Sequence, residues 1–321
     1  MNIEMITAAA ARLDGIARRT PLLHAPALDA LAGRRVLVKP ECLQHTGSFK
    51  FRGAYSALSA MTPEMRGRGV IAFSSGNHAQ GIARAAQIFG APAVIVMPSD
   101  APALKIEGTR SYGAEVVLYD RGREKREEIG ARLAQERGLT LVKPYDEPQV
   151  IAGQGTCGLE IAAQAFELGV SEGDVLVCCG GGGLTAGIAL ALEAEAPGLR
   201  PRPVEPQDFD DTARSLKSGI REVNPVEAGG LCDAILTPQP GELTFPITQK
   251  LCGPGLVVSD EEVLRAMALA FRHLKVVAEP GGAVALAAAL FSADITADTV
   301  ICTISGGNTD PATFARALTY I

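Results

Sequence analysis

The chain has 321 residues, 47% of them hydrophobic and 21% charged, and a formal net charge of −6. That length exceeds one average domain, and the composition is that of a globular enzyme. The acidic balance excludes nucleic acid and anionic membrane as main partners, since both favour a basic face. No uncharged apolar run reaches ~18 residues, and the N-terminus lacks a signal peptide's order of segments, so a cytoplasmic protein is expected. Seven cysteines without a C-x-x-C pair are expected to be reduced and mostly buried.

In chain order, the first unusual stretch is CLQHTGSFKFRGA (42–54). It sets Lys50 in a glycine-bounded turn, which aims one amine. Then VIAF (70–73), AVIVMP (93–98), EVVLY (115–119) and LTLVKP (139–144) read as strands. HAQGIARAAQIFG, ALKIEGTRSYG and REKREEIGARLAQERG read as the helices between them. Apolar strands alternating with helices imply βαβ units and a parallel sheet, with right-handed crossovers placing helices on both faces.

A second series follows Pro148. QGTCGLEIAAQAF reads as a helix, though the QGT at its head is compatible with a plain turn. VLVCC (175–179) reads as a strand and LTAGIALALEAEA as a helix. The region 200–256 is proline-rich and less regular, and its PRPVEP is a poor strand. Ser259 and Glu262 fit a capping box that opens DEEVLRAMALAFRHL. GAVALAAALF is a helix, and TVICTIS (299–305) is the last strand. There is no repeat, low-complexity tract or long linker, and two α/β units are the simplest architecture.

Ligands of such sheets bind beyond the carboxyl ends of strands. Three strand ends carry the chemistry: SSGNHAQG (74–81), GGGG (180–183) and SGGN (305–308). GGGG between a buried strand and a helix makes a phosphate cradle, from exposed N–H groups and a helix N-terminus. A flexible turn is the plainer reading. A dinucleotide site would want an acid ~20 residues on, near Glu205. Ser75 or Asn77 could cap a helix, but capping does not need Ser74, Ser75, Asn77 and His78 together. A lysine forms a Schiff base with an aldehyde once burial suppresses its charge. An aldehyde that also carries a phosphate is pyridoxal 5′-phosphate.

TGSFKFRGA, SSGNHAQG, GQGT, GGGG and SGGN, in this order, resemble the serine/threonine dehydratase and serine racemase family. The likeness runs from RTPLL (19–23) to SGGN. It implies the tryptophan synthase β-like fold of pyridoxal phosphate fold type II. That is two doubly wound, three-layer α/β domains with parallel-rich sheets. The large cofactor-binding domain would comprise 1–60 and 148–321, and a small substrate-clamping domain 61–147. The resemblance makes Lys50 the Schiff-base lysine and packs Phe49 against the cofactor ring. It puts Asn77 on the ring's 3′ oxygen, Glu279 beside the cofactor and Ser305 on the pyridine nitrogen. Gly180, Gly181, Gly182, Gly183 and Leu184 would offer N–H groups to the phosphate. Ser74, Ser75, Asn77, His78 and Arg126 would hold the substrate carboxylate, although Arg126 also reads as a solvated charge.

VEPQDFDD (204–211) resembles the family's divalent-cation loop. Glu205, Asp211 and the Phe209 carbonyl would then bind Mg²⁺ or Ca²⁺; an acidic surface loop is the plainer reading. Ala234 follows Asp233 where the family often has glycine. The implied reaction is dehydration of L-threonine, L-serine or 3-hydroxyaspartate, through an aminoacrylate, to a 2-oxo acid and ammonia. The implied assembly is a homodimer. A serine hydroxyl at 305 does not enforce protonation of the pyridine nitrogen, which favours elimination over transamination. Serine- or aspartate-type racemisation is the alternative, with Ser75 as the group on the opposite face of Cα. A nucleotide-dependent oxidoreductase leaves Lys50 unexplained, and a silent binding module has no use for Lys50, Ser75 and Ser305 together. A dicarboxylate substrate wants another cation near its β-position, and His45 or Arg52 is expected to serve. With the sequence ending soon after SGGN, no feedback through an effector domain is expected.

Overall fold

The computed structural model describes every residue except Ser75, Pro102, Arg121, 226–228 and Ile321, and the side chain of Leu104. The described strands are β1 (Leu23–His24), β2 (Arg35–Pro40), β3 (Val70–Phe73), β4 (Ala93–Pro98), β5 (Glu115–Tyr119), β6 (Thr140–Leu141), β7 (Gly173–Cys178), β8 (Leu199–Pro206), β9 (Leu256–Val258) and β10 (Thr299–Ile304). They form a six-stranded sheet, β1-β2-β10-β7-β8-β9, and a four-stranded sheet, β5-β4-β3-β6. Every pairing is parallel except β1 with β2. Helices alternate with the strands, so the sheets are covered as an α/β fold requires. β4 is buried along its whole length, as its uninterrupted AVIVMP demands.

PRPVEP does form a strand, contrary to the expectation. Val204 O accepts from Cys179 N, so even-numbered residues of β8 face β7. Pro201 O accepts from Gly253 N, so Pro201 and Pro203 face the other edge. There β9 pairs only with Val204–Pro206, and the missing proline N–H groups cost no ladder bond. LTLVKP shrinks to the two residues of β6. Val142 N still donates to Ile71 O, but Pro144 has no donor and the chain leaves the sheet. Gln154–Thr156 is no turn: it lies inside the helix Pro148–Glu167. Its glycines allow close helix packing, since a Cβ on Gly155 would sit 2.9 Å from Gly187 O.

The capping box is present: Ser259 Oγ accepts from Glu262 N, and Ser259 N donates to the Glu262 carboxylate at 2.7 Å. The main core surrounds the helix Pro280–Phe291, which is apolar on all sides and buried accordingly. All seven cysteines are free thiols, and only Cys42 and Cys252 are less than fully buried. Among the described residues no helix is long and apolar enough to cross a membrane.

Candidate active site

Residues following β2, β3, β7 and β10 line one cavity of about 590 Å³. After β2, two short 3₁₀ turns carry the chain to Lys50, which begins the helix Lys50–Ala60. Thr46 and Gly47 both take left-handed backbone, at φ 59° and 71°, which reverses the chain. A Cβ at Gly47 would meet Asn308 Oδ1 at 2.6 Å, so the turn and the SGGN end are closely packed. Ser48 bridges Gly306, and Phe49 N donates to Ser305 O at 3.0 Å. The Lys50 turn is thereby stitched to the end of β10.

Lys50 Nζ donates to Pro144 O at 2.8 Å and lies 5.2 Å from the centroid of the Phe49 ring. Burial pulls its ammonium down to about 8, against an opposing pull from Glu279. Burial pushes Glu279 up to about 7. Glu279 Oε1 accepts from Asn77 Nδ2 at 2.5 Å, and Asn77 Oδ1 accepts from Asn308 Nδ2 at 2.7 Å. A Cβ at Gly306 would collide with the same Glu279 oxygen.

The glycine run ends in the helix Gly183–Glu195, whose N-cap Gly182 is left-handed at φ 89° and leaves the helix start without a side-chain cap. Cβ atoms would strike Ile235 O at 2.9 Å from Gly180 and Thr244 Oγ1 at 2.8 Å from Gly182. At Gly181 a Cβ would collide with the Tyr145 ring. The run is therefore a packed cradle, not a flexible turn. Thr244 Oγ1 donates to Gly181 O at 2.6 Å and braces it.

A second helix start faces the cavity. The helix Asn77–Phe89 has Gly76 as N-cap, with no side-chain hydrogen bond. Asn77 is therefore not a cap, and its amide is spent on Glu279 and Asn308. Ser74 Oγ accepts from Gly76 N at 3.2 Å. His78 is buried, with Nε2 3.0 Å from Val142 O and Nδ1 unpartnered. Burial and the Lys50 charge push it down to about 3, so it is a neutral imidazole. Ser75 lies outside the described residues. Arg126 lines the cavity while paired with Glu127 at 2.7 Å. Phe49, Leu184 and Ser305 line it too.

His45 and Arg52, the expected cations for a β-substituent, do not line the cavity. His45 packs on Phe51 and bonds Ile16 O, and Arg52 is consumed by the buried Glu41 and the half-buried Glu160. The cations that do line it besides Lys50 and Arg126 are Lys105, Lys143 and Arg221. Lys105 Nζ reaches Asp233 Oδ2 at 2.8 Å, linking the helix Ala103–Ser111 to the loop over the glycine run. Tyr145, Asp146 and Thr244 were also missed. The one signal for Tyr145 and Asp146 was their place in KPYDEP (143–148), a proline-flanked strand end; Thr244 carried none.

At the third cluster, the Glu205 carboxylate accepts from Thr212 N at 3.0 Å and Ala213 N at 2.8 Å. Asp211 Oδ1 accepts from Asn224 Nδ2 at 2.6 Å, while Oδ2 is buried without a partner. Burial and then Asp211 drive Glu205 well up, and burial drives Asp211 up to about 6. Among the described residues no group of three or more His, Cys, Asp or Glu gathers for a metal. Two neighbouring carboxylates, Glu205 and Asp211, are the donors on offer.

An uncapped cradle that admits only glycine, a buried amine of lowered pKa and a buried serine hydroxyl fit the phosphate, aldehyde and ring of pyridoxal phosphate. Residues 13–306 match the family described as "Pyridoxal-phosphate dependent enzyme". The chain belongs to that family, with fold type II, and is an enzyme of the ammonia-lyase kind. It is 44% identical over 311 residues to an L-threo-3-hydroxyaspartate ammonia-lyase of Pseudomonas sp, covering 97% of this chain and 96% of the relative. A solved T.th. threonine deaminase superposes with TM-score 0.90 at 45% identity, over 97% and 99% of the two chains. Maize serine racemase superposes with TM-score 0.92 at 35% identity, over 99% and 97%.

Proposed function

We propose that this enzyme dehydrates a β-hydroxy amino acid and favours L-threo-3-hydroxyaspartate. The observation that carries this reading is the set of four cations besides Lys50 along one cavity: Lys143, Lys105 paired with Asp233, Arg126 paired with Glu127, and Arg221 paired with Glu242. One α-carboxylate needs a single anion site, and a second carboxylate has use for a further cation. The similarity to the Pseudomonas relative supports the same substrate.

Bound pyridoxal phosphate supplies a conjugated ring that accepts the electron pair left at Cα. The chain supplies the rest. The α-carboxylate is held at the start of the helix Asn77–Phe89, by its N–H groups, Ser74 and Ser75. Lys50 takes the Cα proton; with its pKa near 8, much of the amine is neutral at pH 8 and able to do so. Pro144 O holds the amine once it is charged. The neutral His78 adds no competing charge. Gly180–Gly183 and the Leu184 N–H would hold the phosphate, Phe49 would pack on the ring, Asn77 and Glu279 would serve its oxygen and Ser305 its nitrogen. Residues 61–147 act as a clamp.

The test is a substrate panel run on wild type and Lys105→Met. The variant is expected to lose about 100-fold in kcat/KM for 3-hydroxyaspartate, the size of one truncated charge pair. L-serine and L-threonine should change less than about threefold. Equal losses on all three would remove Lys105 from β-carboxylate reading. A wild type that turns over only monocarboxylates would contradict the substrate assignment.

Racemisation is a second reading, favoured by the likeness to maize serine racemase. It assigns Ser75 the opposite face of Cα, and the enantiomer composition of recovered substrate decides it. We also assign Mg²⁺ or Ca²⁺ to Glu205, Asp211 and the Phe209 carbonyl, since the orphaned Asp211 oxygen offers a ready ligand. Either ion should raise the Tm of wild type but not of Asp211→Asn. The resemblance supports a cytoplasmic homodimer, which light scattering and cell fractionation check.

Glu279 gives a pH prediction. Its folded value of about 7 lies above the unfolded ~4.3. It therefore favours the folded protein at low pH, and that contribution is lost as pH rises through 7. In cofactor-free protein, Glu279→Gln should be neutral at pH 5 and stabilising by ~3 kcal/mol at pH 9. Thermal melts at the two pH values check the sign.

A further inference from the structure

Arg52 stands two residues after Lys50 and is only 1% exposed. Its Nε and Nη2 form a fork on Glu41 at 2.7 and 2.8 Å. Nη1 and Nη2 reach Glu160 at 2.6 and 3.0 Å, and Nη1 also meets Thr156 Oγ1 at 3.2 Å. Nη2 donates to Arg18 O at 3.2 Å. Lys39, also buried, completes the cluster with bonds to Glu160 at 2.6 Å, Thr20 O at 2.6 Å and Gln164 at 3.0 Å. Two carboxylates balance two cations. A buried set of this kind is weak as a source of stability, because apolar residues of similar volume do as well. Its location gives it a different use.

Glu41 begins the first turn after β2, and Arg52 lies in the first turn of the Lys50 helix. Together they pin both ends of the segment that carries the amine. Glu160 and Thr156 lie on the helix Pro148–Glu167, which starts four residues after Pro144, the acceptor for Lys50 Nζ. The two helices meet without spare room: a Cβ on Gly153 would lie 2.5 Å from Arg52 O. The amine and its acceptor are thus both referred to one guanidinium.

We infer that Arg52 is a positioning residue that fixes the Lys50 amine in the cavity through Glu41 and Glu160. This rests on the role given to Lys50 above. Arg52→Lys keeps the charge and loses the planar fork. In the holoenzyme it is expected to lower kcat about 10- to 100-fold, with KM within about threefold, as a misplaced reacting group does. The pH midpoint of the visible cofactor absorption should also move. Arg202→Lys is the comparison. Arg202 is another buried arginine, paired with Asp174 at 3.0 Å on β8, and does not line the cavity. It should lose Tm but keep kcat and the midpoint. Glu160→Gln, which leaves the Glu41 fork in place, should repeat the Arg52→Lys effects at smaller size even where Arg52→Lys fails to fold. Losses of kcat that follow Tm alike in both arginine variants, or an unmoved midpoint and kcat in Glu160→Gln, would overturn the inference. A wild type without visible absorption would instead sink the reading of Lys50 itself.

Discussion

Lys50→Ala protein is expected to be colourless and to lose at least ~10⁴-fold in kcat, as befits removal of a positioned base that also carries the cofactor. Among the described lining residues no other amine is placed to substitute. Lys105 is engaged by Asp233, and Lys143 is exposed at the cavity's edge. The absorption spectrum of purified protein and an assay for 2-oxo acid measure the two losses together. Lys143→Ala, as a comparison, should stay coloured. Colour retained in Lys50→Ala would mean that another amine holds the aldehyde.

Gly182→Val should weaken cofactor binding by about 100-fold or more. Gly182 sits at φ 89°, where a β-branched residue is an outlier costing ~1–3 kcal/mol. Its Cβ would fall 2.8 Å from Thr244 Oγ1, the hydroxyl that braces Gly181 O, and the lost bond adds ~1 kcal/mol. Each 1.4 kcal/mol is tenfold in affinity. Titration of cofactor-free protein with pyridoxal phosphate measures this. Gly90→Ala is the comparison: its φ of 63° is also left-handed, but no atom lies within 4 Å of a new Cβ. It should cost stability and leave the titration unchanged. Equal effects at both positions would show that the glycine run acts only through folding.

The parallel sheets were legible in the sequence because uninterrupted apolar strands such as AVIVMP leave few alternatives. The glycine run and the Lys50 turn were legible because both use backbone that other residues take badly. β8 was not. Its prolines are harmless only through the parity of their N–H groups against a short β9, which a single strand's sequence does not reveal. The roles of His45 and Arg52 were misjudged for a related reason. Spacing puts Arg52 beside Lys50, but on a helix two residues turn a side chain to the opposite face, here into the Glu41–Glu160 pair. The true cavity cations, Lys105, Lys143 and Arg221, come from segments distant in sequence that only the fold brings together. Beyond its place in KPYDEP, nothing in the sequence shows that the Tyr145 ring closes on Gly181 and its backbone on Gly183.

Borohydride reduction of the coloured protein, followed by peptide mapping, tests most directly which amine carries the cofactor. Reduction converts the linkage to a stable secondary amine at the residue that held it. The expected result is one phosphopyridoxyl group per chain, on Lys50, in the peptide containing TGSFKFRGA. A label on Lys39, Lys105 or Lys143 instead, or no label on coloured protein, would contradict the assignment.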